Sequence, residues 1–207
     1  MTIDRPTTLP HQWLEPWLLV FLKPGDRDSV PGDLLEEYRL VVRPARGRLR
    51  ADAWYLSHLA GYAWRATWPW GAALAASVVF RNTLDWWLSP TQDFYARSVA
   101  STWTAIAIFM GSGAWTGWRS RSLRAGALAG ILTGAIAAAI ETAVSLGQLA
   151  IQHDAHTMRM IAASGGLEEV FVLPFIVIVP GTFCASVGAA IGKALAVVYS
   201  RAKTNSA

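Results

Sequence analysis

Four long apolar segments constrain what this 207-residue chain can fold into. They cover about residues 62–84, 99–118, 125–151 and 167–199. An α-helix rises about 1.5 Å per residue, so each segment can cross the roughly 30 Å hydrocarbon layer of a bilayer. The segments lack the alternation of apolar and polar residues that barrel strands require. The pattern therefore predicts an all-α, polytopic membrane protein with four transmembrane helices.

Composition favours the same class of protein. Only 15% of the residues are charged, whereas soluble domains carry about 25%. The chain has 11 Trp residues, and Trp is enriched where lipid meets water. Most of them lie near the ends of the apolar segments. Cys184 is the single cysteine, which excludes an intramolecular disulfide and a cysteine-based zinc site.

The distribution of Lys and Arg predicts the orientation. If residues 1–65 lie in the cytoplasm, only Arg81, Arg97 and Arg159 of the 18 basic residues fall on the outer side. Such an excess marks the cytoplasmic side. We therefore expect three parts: a cytoplasmic or interfacial helical prefix (1–61), the transmembrane bundle (62–200) and a cytoplasmic tail (201–207).

The prefix contains an acidic helix start followed by a basic stretch. Asp33 is the expected N-cap of a helix, and Glu36 and Glu37 in the first turn suit the helix dipole. Pro44 and Gly47 are expected to end this helix, and another is expected to begin at about Arg48. We interpret the acidic residues as a docking face for a protein partner. The basic residues are expected to contact anionic lipid head groups rather than nucleic acid: Arg43, Arg46, Arg48 and Arg50.

Small residues recur at every fourth position of the third segment. Gly126, Gly130 and Gly134 begin this stripe, which is typical of a glycine zipper that lets helices approach closely in lipid. Gly188 and Gly192 give the fourth segment a similar face. The two faces could pack on each other or on a second copy of the chain.

Glu141 is the most informative polar residue, because a carboxylate inside a membrane span is costly and usually faces protein or water. Ser145, Gln148 and Thr133 are expected on the same side of the helix. One interpretation is a proton or cation site; the other is a hydrogen-bonded contact that holds helices together. Pro174 and Pro180 should bend or loosen the fourth segment, since each removes a backbone donor.

Another group of polar residues, separate from the prefix and from Glu141, is expected at the outer side of the membrane. His153 and His156 are three residues apart, and Glu168 and Glu169 follow across a loop. Histidine with carboxylate can bind zinc or iron, although an ordinary amphipathic surface segment would have the same pattern. Motifs for nucleotide binding are absent from the sequence, and we predict no cofactor.

The prefix resembles a known family. Gly32, Asp33, Leu34, Glu36, Glu37 and Tyr38, followed by Ala51, Trp54 and Tyr55, are similar to the permease prefix domain of bacterial duplicated-orphan ABC-type permeases. The likeness covers about residues 10–65 and leaves the four-span region unassigned. It implies a protein of the bacterial cytoplasmic (inner) membrane, connected with transport.

We therefore predict a non-catalytic accessory or scaffold subunit of a membrane complex, with a protein partner or a second copy in the bilayer. One alternative is a small transporter or channel that uses Glu141 and the proline-bent fourth span. The other is a metal-dependent membrane enzyme with the outer His and Glu residues.

Overall fold

The computed structural model describes residues 19–87, 94–151, 154–163 and 166–205. The predicted all-α class is confirmed, because the secondary structure in these ranges is helical and contains no strand. The helices are α1 (Ser29–Glu37), α2 (Arg43–Arg46), α3 (Arg48–Trp87), α4 (Phe94–Ser120), α5 (Leu123–Ile151), α6 (Ala155–Ala163), α7 (Gly166–Phe171), α8 (Leu173–Ile176) and α9 (Ile178–Asn205). A 3₁₀ turn precedes α1 (Pro24–Asp26), and a π-helical turn joins α1 to α2 (Tyr38–Val42).

The prefix folds back on the first turns of α3. Tyr38 and Val42 pack against Ala51, Tyr55 and Leu59 in a small buried core. The hydroxyl group of Tyr38 donates a hydrogen bond to the Asp52 carboxylate. This core is separate from the buried clusters of the long helices, so the prefix has packing of its own beside the bundle.

The predicted start of the prefix helix is wrong. α1 begins at Ser29 with Asp28 at the N-cap position, and Asp33 lies inside the helix. Pro31 occupies the first turn, where the backbone N–H that proline lacks has no partner within the helix. Pro44 likewise lies in the first turn of α2, and it is Gly47, with a φ of +72°, that separates α2 from α3.

The fourth apolar segment is not one helix. It is divided into α7, α8 and α9, with breaks at Val172 and Val177. Pro174 lies in the first turn of α8, and Pro180 in the first turn of α9. These prolines suit first turns. The backbone N–H groups of Val177 and Gly181 still donate four residues back, so the stretch from Leu173 onward stays helical across Val177.

The four long helices form a bundle in which α3 and α9 each pack against both α4 and α5. The closest approach is between α4 and α9. A Cβ atom on Gly113 or Gly117 would lie less than 3.0 Å from the backbone of α9 at Ala185 and Ala189. Gly188 and Gly192 meet the α4 backbone in the same way. Neither helix could approach so closely with larger residues at these positions.

The glycine stripe of α5 also packs against α9. A Cβ atom on Gly126 would meet Ala189, and one on Gly130 would meet Ala185, in each case at less than 3.0 Å. Gly134 faces Ile178. The small-residue faces are therefore occupied by contacts within this one chain, and they do not form a surface open to a second copy.

Two helical stretches in the described part of the chain are long and apolar enough to cross a membrane: Leu123–Ile151 and Leu173–Lys203. The other two long helices, α3 and α4, carry more polar residues. Several of those are buried inside the bundle, including Asn82 and Asp85 in α3 and Ser112, Thr116 and Ser120 in α4. Their lower hydropathy therefore comes partly from side chains that face other helices.

Candidate functional site

A cavity of about 300 Å³ lies in the bundle between α3, α4, α5, α8 and α9. Most of its wall is apolar, with Leu74 and Val78 from α3 and Phe109 from α4. Ala137 and Val177 complete the apolar lining from the other side. Cavities of this size with an apolar wall and a few polar groups are the usual form of small-molecule sites.

The polar lining residues gather at one end of the cavity. α3 and α5 run in one direction and α4 in the other, so Arg81, Glu141 and the start of α4 are at a similar height. Ser101 and Thr102 line the cavity from that part of α4. The site thus combines a long apolar wall with a polar end that contains one carboxylate and one guanidinium group.

Glu141 is buried and takes its hydrogen bond from α3. The Nδ2 atom of Asn82 donates to Glu141 Oε1 at 3.1 Å. A carboxylate can accept about four hydrogen bonds, so the one bond from the described residues leaves most of its accepting capacity unused. The Glu141 carboxylate is therefore both fixed in position and available to a donor inside the cavity.

The guanidinium group of Arg81 is held by an ion pair. Its Nε lies 3.0 Å from Asp85 Oδ2, one helical turn away. The Nε atom of Arg97 in α4 lies 2.8 Å from the other oxygen of Asp85, and the Arg81 guanidinium stacks over the ring of Phe94. Asp85 is 2% exposed, so it joins α3 to α4 through a buried carboxylate with an arginine on each oxygen.

The predicted polar face of α5 lies inside the bundle. Thr133 and Ser145 are buried with Glu141, and Gln148 donates a 3.0 Å hydrogen bond to the hydroxyl group of Thr83 in α3. The buried hydroxyl oxygen of Thr133 has no hydrogen-bond partner among the described residues. Of these residues, Glu141 is the one that lines the cavity.

Both prolines of the broken fourth segment also line the cavity. Pro174 is on α8 and Pro180 on α9, so the interruption between these helices faces the same space as Glu141. Interrupted helices beside a binding site are a recurring feature of membrane transporters. Glu141, Pro174 and Pro180, singled out separately in the sequence, thus lie around one cavity.

The metal site predicted at the outer His and Glu residues falls only partly within the described part of the chain. His153 and the side chain of Glu169 lie outside the part of the structure that is described, while His156 and Glu168 are exposed. The described residues contain no group of three or more possible metal ligands. Asp154 instead caps α6: its carboxylate accepts hydrogen bonds from Thr157 and from the backbone N–H of His156. These bonds, with that from the Thr157 backbone first, keep the pKa of Asp154 below its usual range.

The charged residues predicted as the docking face and the lipid contact of the prefix are exposed, with the exception of Arg43, which is half-buried. Asp33, Glu36 and Glu37 are exposed, as are Arg46, Arg48 and Arg50. Arg48 lies 4.0 Å from Asp52. Tyr38, which follows the acidic residues, is buried; burial, followed by its hydrogen bond to Asp52, raises the pKa of its hydroxyl group.

Comparisons with known proteins do not identify the chain: no family model, no curated protein and no solved structure matches it. The resemblance of the prefix to permease prefix domains therefore stays a prediction. The structure adds that five of the residues that carry the resemblance pack in one core: Leu34, Tyr38, Ala51, Trp54 and Tyr55.

Sequence reasoning did not find the α3 half of the site. Arg81 and Arg97 entered only as charges of an outer loop, and Asn82 and Asp85 were not considered. The spacing of Arg81 and Asp85, four residues apart, is the usual spacing of an ion pair on one helix. That spacing, at the end of an apolar segment, was the sequence pattern that could have indicated the α3 half of the site.

Proposed function

We propose that this chain is a small polytopic membrane protein of the transporter class, with a binding site for an amphipathic organic cation in the central cavity. One observation carries the proposal: Glu141 lies at the polar end of an apolar cavity that is also lined by Pro174 and Pro180. A lipophilic ammonium ion would place its apolar body along the wall and its charged head beside Glu141.

The charges at the polar end favour a cation over an anion. The guanidinium group of Arg81 is already engaged by Asp85 and stacked on Phe94. From the described residues, Glu141 accepts one hydrogen bond, donated by Asn82. A ligand that donates hydrogen bonds and carries positive charge would complete the coordination of the carboxylate, and charge-assisted bonds of this kind are among the stronger ones.

Movement of the ligand would use the interruption between α8 and α9. The backbone N–H groups of Val177 and Gly181 keep their helical hydrogen bonds across this point. Pro180 has no N–H, however, so the carbonyl of Ile176 lacks its usual partner, and the cavity wall can bend here with little further loss of hydrogen bonding. A proline-loosened helix at the binding site supports the transporter class for this reason.

The proposed placement has α3, α4, α5 and α9 crossing the bilayer with both termini in the cytoplasm, in the bacterial inner membrane. Single cysteines at Ser122 and Asp154, in a chain with Cys184→Ala, test the orientation. A membrane-impermeant maleimide should label position 154 in intact cells, and position 122 only after the cells are opened. The reverse labelling would overturn it.

The cation site is tested by calorimetric titration of the purified protein with octylammonium, octanol and octanoate, which share one alkyl chain. We expect octylammonium to bind at least about tenfold more tightly than octanoate, a difference of about 1.4 kcal/mol. Glu141→Gln should remove the preference. Equal binding of all three ligands to the wild-type protein would refute the cation site.

A second candidate function is the accessory subunit that the sequence predicts. The exposed acidic residues Asp33, Glu36 and Glu37 favour it, since they form no ion pair with the described residues and could meet a basic partner surface. Charge reversal of these three residues should release co-purifying subunits while octylammonium binding is kept. If the co-purifying subunits stay bound after the charge reversal, these three residues have no docking role.

A further inference from the structure

A second pocket, of about 560 Å³, lies at the other end of the bundle from the polar end of the central cavity. It is formed where the segment before α1 meets the last turns of α4 and α9. Three basic residues and three aromatic residues dominate its lining: Lys23, Arg119, Arg121, Trp115, Trp118 and Tyr199.

The three basic side chains have no counter-charge in the pocket. No acidic residue lines it, and Lys23, Arg119 and Arg121 form no hydrogen bond or ion pair through their side chains with the described residues. Asp26 lines a neighbouring cavity together with Lys23 and Arg119, and it does not pair with either. Three exposed cations that line one pocket without a carboxylate can make charge-assisted hydrogen bonds to a phosphate group.

The backbone around these cations is held in place. Arg27 donates a 2.6 Å hydrogen bond to the carbonyl oxygen of Ser120, which fixes the segment that carries Lys23 to the turn between α4 and α5. Arg121 has a φ of +53°, a left-handed conformation that is usually taken by glycine at the end of a helix. An arginine at this position places a cation at the turn at some conformational cost.

The aromatic residues and the surface beside them favour a lipid over a free phosphate ion. Trp118 and Tyr199 are in ring contact at 5.7 Å, and Trp115 is 53% exposed. From this pocket an apolar strip continues along α9, with Ile191, Leu195 and Val198 exposed. Aromatic side chains at head-group level above an apolar strip are the arrangement expected at a membrane interface.

We infer that this pocket binds the phosphodiester head group of an anionic phospholipid, with the three cations around the phosphate and an acyl chain along the exposed face of α9. The inference requires the proposed placement of the bundle in a bilayer, but it does not require a ligand in the central cavity. It assigns the strongest lipid contact to the ends of α4 and α9 rather than to the basic stretch of the prefix.

Native mass spectrometry of the detergent-purified protein with phosphatidylglycerol or phosphatidylcholine tests the inference. Wild-type protein should bind phosphatidylglycerol at least about tenfold more tightly than phosphatidylcholine. The triple variant Lys23→Gln, Arg119→Gln, Arg121→Gln should lose this preference. A matched triple variant in the prefix, Arg39→Gln, Arg46→Gln, Arg50→Gln, removes the same charge from exposed positions and should keep it.

Each other outcome counts against the site. Equal losses in the two triple variants would show that charge alone attracts the lipid. Competition by inorganic phosphate at millimolar concentration would show a free phosphate site. Lys23 lies in an exposed turn, so Lys23→Gln alone should leave the bundle intact and weaken phosphatidylglycerol binding at least about threefold. Unchanged phosphatidylglycerol binding would exclude Lys23 from the site. Octylammonium binding should be unchanged in all these variants, so failure here and failure of the cation site are separable.

Discussion

The side-chain amide of Asn82 donates a hydrogen bond to Glu141 across 59 positions of sequence and joins α3 to α5 inside the bundle. Two turns further along α5, Gln148 donates to Thr83, the next residue of α3. The two helices are therefore joined by two polar contacts beside the cavity. This sets which face of Glu141 remains open to a ligand.

Replacement of Asn82 by leucine should destabilise the bundle, because it leaves the buried Glu141 carboxylate without its donor. The expected cost is about 1–3 kcal/mol, measured by thermal or denaturant unfolding in detergent. Glu141→Leu in the same chain should recover much of that loss, since both polar groups are then gone. Purely additive losses in the double variant would show that the two side chains are not coupled.

Asp85 should be the most sensitive charged residue of the bundle. Asp85→Asn deprives two mostly buried guanidinium groups of their shared carboxylate, and removal of one partner of a buried ion pair typically costs about 3–5 kcal/mol. Arg97→Gln should cost less, because Asp85 keeps Arg81. The two variants are compared by yield of folded protein and by unfolding temperature; equal losses would contradict the central role of Asp85.

The contact between α4 and α9 should not tolerate side chains at its glycines. Gly113→Leu or Gly188→Leu would force the helix backbones apart, and we expect loss of the folded bundle in detergent. Gly61→Ala and Gly147→Ala are matched controls, because a Cβ atom at either position meets nothing within 4 Å. These controls should be neutral or slightly stabilising, since alanine favours the helix over glycine by up to about 1 kcal/mol.

The general form of the structure could be predicted because periodicity and length report on helices directly. The stripe at Gly126, Gly130 and Gly134 marks a face for close contact, although sequence could not tell which helix it meets. The contact with α9 depends on Ala185 and Ala189 lying at matching heights. That match is a property of two distant segments and of the loops between them, and no local pattern encodes it.

The site could be predicted only in part, because it too depends on contacts between segments that are distant in sequence. Glu141 stands out as a carboxylate in an apolar segment, but its partner Asn82 is unremarkable in its own segment. The start of α1 was missed for a local reason: Pro31 indicated a helix start at or after itself, whereas proline is tolerated within the first turn. The metal site at the outer His and Glu residues stays a prediction, since His153 and the side chain of Glu169 lie outside the described residues; the neighbouring Asp154 caps a helix.

The prefix core should become less stable at high pH through Tyr38. Burial and the hydrogen bond to Asp52 raise the pKa of this hydroxyl group, so its contribution to stability is complete below about pH 10, the usual tyrosine value. It is lost as the pH rises through the raised pKa, because the phenolate is favoured in the unfolded prefix. We expect the tryptophan fluorescence of the full-length protein to report this alkaline change. Tyr38→Phe should remove it, and Tyr95→Phe, at an exposed position on α4, should not. An alkaline change of the same size in the wild-type protein and in Tyr38→Phe would assign it to another group.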